Sequence, residues 1–547
     1  MEIKFIDEMK LFNMDEITDT MKANPATNKY YLLPIIFGLI GIFFMVKNRP
    51  KDFAVLFILF LVTGIGIIIY SNQPPNEPRE RDYVLVGSFF TFCMWIGLSV
   101  LAIMKGLSSK VSMSKTGLAS IGGLLALSAP LIMGFQNWDD HDRSEHYGSR
   151  DYAANFLNSV EENAIIFTYG DNDTYPLWYA QEVEDIRRDV RVVNLSLIAV
   201  DWYINKLRNK VNDSAPLKFT LPESAYRGKK RNQIIFMGDG QAVDLRQELN
   251  FIADDKNMRR GQSGGMLNVS RTKNYYIPIN KQQALQSGWV EAQDADKIVS
   301  SIPIKFGPSD DYFTKDELAV LDILANNLQD RPIYFAVTCK NEKLLGLNDY
   351  MQLEGLGLRI MPIKSASTKE LVIYGSGRVD TDKTYDNIMN KWAWGNFDKV
   401  DTHISSSYGA ELQAMKIIMM RTSNALLSEG KTDKALTLSK KYFEAFPHFN
   451  FPYDDSVVPF IDVMVATGDI EEAKRHTRIL AEETYQNINF FESLDEEDFD
   501  AGFTQDYGFA IRSVNDILRV SKLMKDPAFA QEMTDLLGEY DMSKLKR

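Results

Sequence analysis

Cysteine is scarce, with two in 547 residues, which excludes a disulfide framework. Cys93 falls in an apolar run and Cys339 in a polar region, so the two are not expected to pair. A large region outside the cytoplasm without disulfides suits a bacterial envelope better than an oxidising secretory pathway. The sequence also lacks a phosphate-loop pattern and any serine–histidine or cysteine–histidine arrangement of a nucleophilic hydrolase. No basic stripe is present, and the net charge of −13 argues against general nucleic-acid binding. The first 29 residues have neither the basic region nor the apolar core of a signal peptide.

Charge is missing in another, more telling way. Residues 30–46, 53–76, 83–104 and 116–138 contain no Asp, Glu, Lys or Arg. Each run approaches or exceeds the ~17–25 residues that span a bilayer as a helix. Buried helices of a soluble protein would show an amphipathic face, and these do not. Four transmembrane helices are therefore expected, with Tyr30, Tyr31, Tyr70, Tyr83 and Trp138 at the interfaces. Basic residues crowd the first short loop, 47–51, and the third, 105–115, which places both in the cytoplasm. The middle loop, 72–82, the N-terminal tail and everything after Trp138 then face outward. Nothing obvious exports the tail, so Met1 is expected to lie within an extracytoplasmic loop of a longer protein, of which this chain is the C-terminal portion.

Beyond the membrane, helical spacing over 151–164 leads into the apolar run 165–169. A helix over 177–186, a β-branched strand over 190–197 and a helix over 202–210 follow. Such alternation predicts a soluble α/β domain with a mainly parallel sheet, assigned to residues 139–375. Further strands are expected at 233–237, 275–278 and 333–337, and a helix at 315–327. Residues 376–547 read as helical. Gly430–Ala435 recurs as Gly468–Ala473, thirty-eight residues on, and Pro447 closes the first unit, as in tetratricopeptide repeats. The expected domains are thus a tail (1–29), four transmembrane helices (30–138), the α/β domain and a tetratricopeptide-like helical domain. Such repeats present a peptide groove or simply buttress a neighbour.

Three segments carry candidate chemistry. Arg79, Glu80, Arg81 and Asp82 end the proline-stiffened outer loop. Their guanidinium forks suit a lipid phosphate, with an interfacial ion-pair cluster as the alternative. Asp139, Asp140, His141 and Asp142 follow the last span and combine hard carboxylates with imidazole, as a divalent-metal site would. Their spacing fits no standard metal motif, and a solvated turn is the alternative. Asp171, Asn172, Asp173 and Thr174 sit at the expected carboxyl end of a strand, where open α/β sheets bind ligands. The competing reading is that Asp173 or Thr174 caps the next helix.

The segments Asn72-Gln-Pro-Pro, Glu77-Pro-Arg-Glu-Arg-Asp-Tyr83, Asn137-Trp-Asp-Asp-His-Asp-Arg-Ser144, Tyr169-Gly-Asp-Asn-Asp-Thr-Tyr175, Arg187-Arg-Asp-Val-Arg-Val-Val-Asn194, Asp349-Tyr-Met-Gln-Leu-Glu-Gly355 and Tyr385-Asp-Asn-Ile-Met-Asn390 together resemble a family of Bacteroidetes multi-pass membrane proteins. That family is related to the animal transmembrane O-mannosyltransferase and looks like the class C glycosyltransferases. The resemblance implies a polyprenyl-phosphate-linked sugar donor, a protein acceptor, and a bacterial inner membrane location with the C-terminal domains in the periplasm. It also implies more spans upstream and a catalytic acid in a first outer loop that has no counterpart here. The alternative is a non-enzymatic envelope scaffold that binds a protein partner through its helical repeats.

Overall fold

The computed structural model describes residues 17–72, 81–238, 240–261, 264–365 and 377–538. Among the described residues three helices are long and apolar enough to cross a membrane: Pro50–Ser71, Asp82–Ser108 and Lys115–Gln136. A fourth apolar helix, α1 (Leu33–Asn48), is shorter. We label the others α2 (Pro50–Leu61, continued through a π-turn at Val62–Gly66 to Ser71), α3 (Val86–Ser108) and α4 (Lys115–Gln136). Glycine brings α1 against α3. A Cβ on Gly41 would lie 1.8 Å from the Trp95 carbonyl oxygen, and one on Gly38 2.3 Å from the Phe92 ring. Close backbone approach of this kind is how helices associate in lipid, where burial of apolar surface gives no driving force.

The chain before α1 returns to the region after α4. Asn28 Nδ2 donates to Asp140 Oδ2 at 2.7 Å and Tyr30 Oη to Asn137 Oδ1 at 2.7 Å. Earlier in the tail, Thr20 Oγ1 donates to Glu483 Oε1 at 2.6 Å, far along the sequence. Both ends of the bundle's sequence therefore lie on one side of it.

After the bundle come α5 (Gly148–Ser159), β1 (Ile165–Thr168), α6 (Asp171–Glu182) and β2 (Arg191–Asn194). Then follow the strands β3 (Gln233–Phe236), β4 (Val243–Asp244), β5 (Arg259–Arg260), β6 (Met266–Ser270), β7 (Asn274–Pro278), β8 (Ser301–Lys305) and β9 (Tyr312–Thr314). Helix α7 (Lys315–Asn327) leads back to β10 (Ile333–Ala336), β11 (Met351–Glu354), β12 (Gly357–Ile360) and β13 (Arg378–Val379). The central sheet runs β13-β11-β12-β10-β1-β2; β3, β5, β6 and β9 form a second sheet, and β4, β7 and β8 a third.

The sheets are mixed, and in the central one three of the five pairings are parallel, β1–β10, β1–β2 and β11–β13. Strands β10, β1 and β2 are parallel neighbours, whereas β12 runs antiparallel to both β10 and β11. The cause is a two-residue hairpin between β11 and β12. Gly355 has φ +66° there, and a Cβ on it would come within 2.2 Å of Ser159 Oγ. All of β1, β2, β10, β11 and β12 are buried throughout, as befits a sheet covered on both faces.

The chain then turns helical, with α8 (Thr381–Asp386), α9 (Gly409–Ser428), α10 (Thr432–Ala445), α11 (Val458–Thr467), α12 (Ile470–Ser493), α13 (Thr504–Leu523) and α14 (Pro527–Leu537). The recurring segments sit at the turns of the α9/α10 and α11/α12 pairs. Gly430 and Gly468 take positive φ, while Ala435 and Ala473 are fully buried. A third pair, α13/α14, turns at Lys525 with φ +56° and so lacks the glycine that marks the other two. One hydrophobic core runs from Tyr152 to Leu537 and joins these helices to the sheet.

Candidate functional site

The carboxyl end of β1 is the best-built polar site on the sheet. Gly170, with φ +91°, lets the chain leave the strand and enter α6 directly, with no side-chain cap. The helix begins at Asp171, not near residue 177, and this overturns the capping alternative for Asp173 and Thr174. All four residues of the Asp171–Thr174 set lie in the first turn, where acidic groups face the positive end of the helix dipole.

Their environments divide them. Asp171 and Asn172 are exposed, whereas Asp173 and Thr174 are buried. Thr174 Oγ1 donates to the Gly170 carbonyl at 2.7 Å, pairs with Thr168 Oγ1 at 2.7 Å and receives Asn194 Nδ2 at 2.8 Å. Asn194 Oδ1 in turn accepts from the Ser196 and Leu197 amides. The ends of β1 and β2 are thereby zipped together. On the other side, Thr338, just past β10, donates its hydroxyl to Asp173.

Burial pushes the Asp173 carboxyl up to about 6 despite the hydrogen bonds from Thr338 and the backbone. Glu411, in the first turn of α9, is raised to about 7, by burial first and by the Asp173 carboxylate second. Two carboxyl groups that change charge near neutrality thus act on each other across the junction of sheet and helical region. The Cys339 thiol, buried beside them, is raised well above its usual value by burial and by Asp173, which leaves it unreactive. Lys340 and Lys343 lie over the Tyr169 ring at 5.8 and 6.0 Å. Glu411, Thr338 and the lysines were not singled out from sequence. They come from segments more than 160 residues beyond β1, and only the tertiary fold brings them together.

The turn after the last span is arranged differently. Asp140 is buried and bonded to Asn28 and His141. Asp139, His141 and Asp142 are exposed, and Asp142 accepts from the Ser144 amide at 2.8 Å, which with the Ser144 hydroxyl lowers its pKa. Arg143 donates to the Asp140 carbonyl at 2.8 Å. Among the described residues no group of three or more His, Cys, Asp or Glu side chains is placed to hold a metal ion. The set Asp139, Asp140, His141 and Asp142 therefore does not converge. Of the outer-loop set, Arg79 and Glu80 lie outside the described residues. Arg81 and Asp82 lead into the apolar helix Asp82–Ser108, with Asp82 in its first turn.

Residues 149–383 match the family described as TMEM260-associated domain 2. The match begins inside α5 and ends inside α8, so it takes in the whole central sheet and the Asp171–Thr174 turn. A curated mouse protein, the protein O-mannosyl-transferase TMEM260 of Mus musculus, is 28% identical over 116 residues. That stretch is 20% of this chain and 16% of the mouse protein, so the likeness spans a minor part of either. No solved structure matches. With a family match across the whole sheet and a curated relative in the same group, the chain is related to the animal transmembrane O-mannosyltransferase family.

Proposed function

We propose that the chain is the C-terminal portion of a membrane glycosyltransferase of the O-mannosyltransferase type. In this reading the complete protein draws sugar from a polyprenyl-phosphate carrier, and the region after Trp138 handles a protein acceptor in the periplasm. The observation that carries the reading is the family match across the sheet domain, in a chain whose preceding helices are apolar enough to span a membrane. The tail and the region after α4 share one side of the bundle, so the number of crossings between them is even. With three long spans, α1 supplies the fourth, and its glycine-mediated seam against α3 supports that role. Basic loops at 47–51 and 105–115 then belong to the cytoplasm of a bacterial inner membrane.

Within this scheme Arg79 and Arg81, flanked by Glu80 and Asp82, meet the carrier phosphate at the outer surface, because a guanidinium fork binds phosphate with two parallel hydrogen bonds. Asp171 and Asn172, exposed at the carboxyl edge of the sheet, are the groups open to a ligand there. Membranes containing the complete protein, supplied with radiolabelled polyprenyl-phosphate mannose, should transfer label to polypeptide, and Arg81→Lys should reduce that transfer about ten- to a hundredfold. Label that stays on the carrier in every preparation would remove the reading.

A further inference from the structure

The apolar bundle and the soluble region share little direct packing. Among the described residues, every closely packed pair of elements that includes an apolar helix lies within the bundle or at its ends. Two segments join the halves. One is the exit after α4, which docks on the soluble region from Glu145 onward. The Glu145 carbonyl accepts Asn396 Nδ2 at 3.2 Å, His146 Nε2 meets Thr402 Oγ1 at 2.7 Å, and the Tyr147 amide donates to the Gly395 carbonyl at 3.1 Å. A single link of this kind acts as a hinge, because regions with a small shared interface move relative to one another by default.

The other segment is the tail, and it is bonded at both ends. At its far end Ile17 packs on the core that joins sheet and helices, and Thr18 is buried. Thr18 Oγ1 accepts the Met21 amide at 3.1 Å and so caps the short helix Asp19–Ala23. The capped turn presents two donors to α12: the Thr20 hydroxyl donates to Glu483 Oε1 at 2.6 Å, and the Asp19 amide to Gln486 Oε1 at 2.8 Å. Glu483 is itself buried, with its second oxygen 3.3 Å from His448 Nε2 on the loop after α10. At the near end the buried Asn28 donates to Asp140, the Lys29 amide to Gln136 and the Tyr30 hydroxyl to Asn137. Between the two ends the slack is taken up. The Ala26 amide donates to Asn24 Oδ1 at 2.9 Å, the Thr27 amide to the Asn24 carbonyl at 2.9 Å, and the Thr27 hydroxyl to the Met21 carbonyl at 3.3 Å. Fully extended, the chain from Thr20 to Asn28 would reach about 26–29 Å. Folded back on Met21, it forms a short wedge between α12 and the end of α4.

We propose that residues 17–28 are a strap that fixes the orientation of the helical region over the bundle, turning a one-point hinge into a two-point mount. The strap runs directly into α1, which the glycine seam holds against α3, so a shift of α1 is carried to α12. Release from Glu483 and Gln486 frees the soluble region to swing about the exit between Asp142 and Glu145. The strap acts in this way whether or not the complete protein transfers sugar.

The test uses the purified full chain in lipid nanodiscs, in a Cys93→Ser background in which Cys339 is buried. Spin labels are placed on Tyr83→Cys, exposed at the outer end of α3, and on Gln531→Cys, exposed on α14. Double electron–electron resonance should give one narrow distance distribution. Thr20→Val with Gln486→Ala, which releases the far end, should broaden it at least twofold. Asn28→Ala with Tyr30→Phe, which releases the near end, should broaden it too, whereas Asp142→Ala, outside the strap, should not. Thr20 and Gln486 are half-buried surface positions, so their substitution leaves the helical core intact. A distribution that stays narrow after release of either end, or that is already broad in the parent, overturns the proposal.

Discussion

The two acid-rich turns, Asp139–Asp142 after the last span and Asp171–Thr174 after β1, look alike in sequence and differ in construction. In the first, a single carboxylate is buried and bonded to its neighbours and to the tail, while the rest meet solvent. In the second, Asp173 and Thr174 are buried at a strand end and wired to β2 and to the loop after β10. The first pins an N-terminal segment in place. The second places a titrating carboxylate where three parallel strands end. Acidic composition at a turn is therefore uninformative until burial is known.

The largest effect expected from this contrast is at Thr174. Thr174→Val keeps the shape but strands the Thr168 hydroxyl in the core and leaves Asn194 Nδ2 with only its 3.2 Å bond to the Gly170 carbonyl. It should cost roughly 2–4 kcal/mol in denaturant unfolding of the purified protein, where each unsatisfied buried group costs about 1–3. Unchanged stability would mean that the zipper between β1 and β2 is not formed.

Asp173 comes next, and its effect depends on pH. Because its pKa is raised from 3.8 to about 6, the folded protein holds a proton that the unfolded chain has already released. Its contribution is fully present below the unfolded value and is lost as pH rises through about 6. Asp173→Asn should flatten the stability profile between those pH values by about 2–3 kcal/mol relative to the parent, an order-of-magnitude figure from the shift. A parallel displacement of the whole curve would show instead that the carboxyl group stays ionised throughout.

The smallest effects belong to the membrane-exit turn. Asp140→Ala leaves Asn28 with only its 3.4 Å contact to Asn137 Oδ1 and should cost about 1–2 kcal/mol, with faster proteolysis of the tail. Asp142→Ala, fully exposed, should leave the melting midpoint where it was. Equal losses from both substitutions would mean that the four residues act as one cluster after all.

Much of this arrangement was legible in sequence where one residue type dominated a stretch. Uncharged runs marked the apolar helices, and α7 was read at Lys315–Asn327, where its capping box is found. Repeated glycines located two helix turns, whereas the third, at Lys525, carried no such mark. The start of α6 was misplaced because Pro176 sits inside the helix and Gly170 enters it without a side-chain cap. Strands β4, β5 and β13 are two residues long, too short for any periodicity to show. The electrostatic influence of Asp173 on Glu411 depends on contacts across hundreds of residues, which no local pattern encodes.

The most direct measurement of the central claim is a comparison of O-linked sugars on periplasmic proteins from cells that carry or lack the gene, read by mass spectrometry of intact glycopeptides. Hexose-modified Ser and Thr sites should disappear without the gene and return when it is restored. An identical set of modified sites in all three strains would contradict the account.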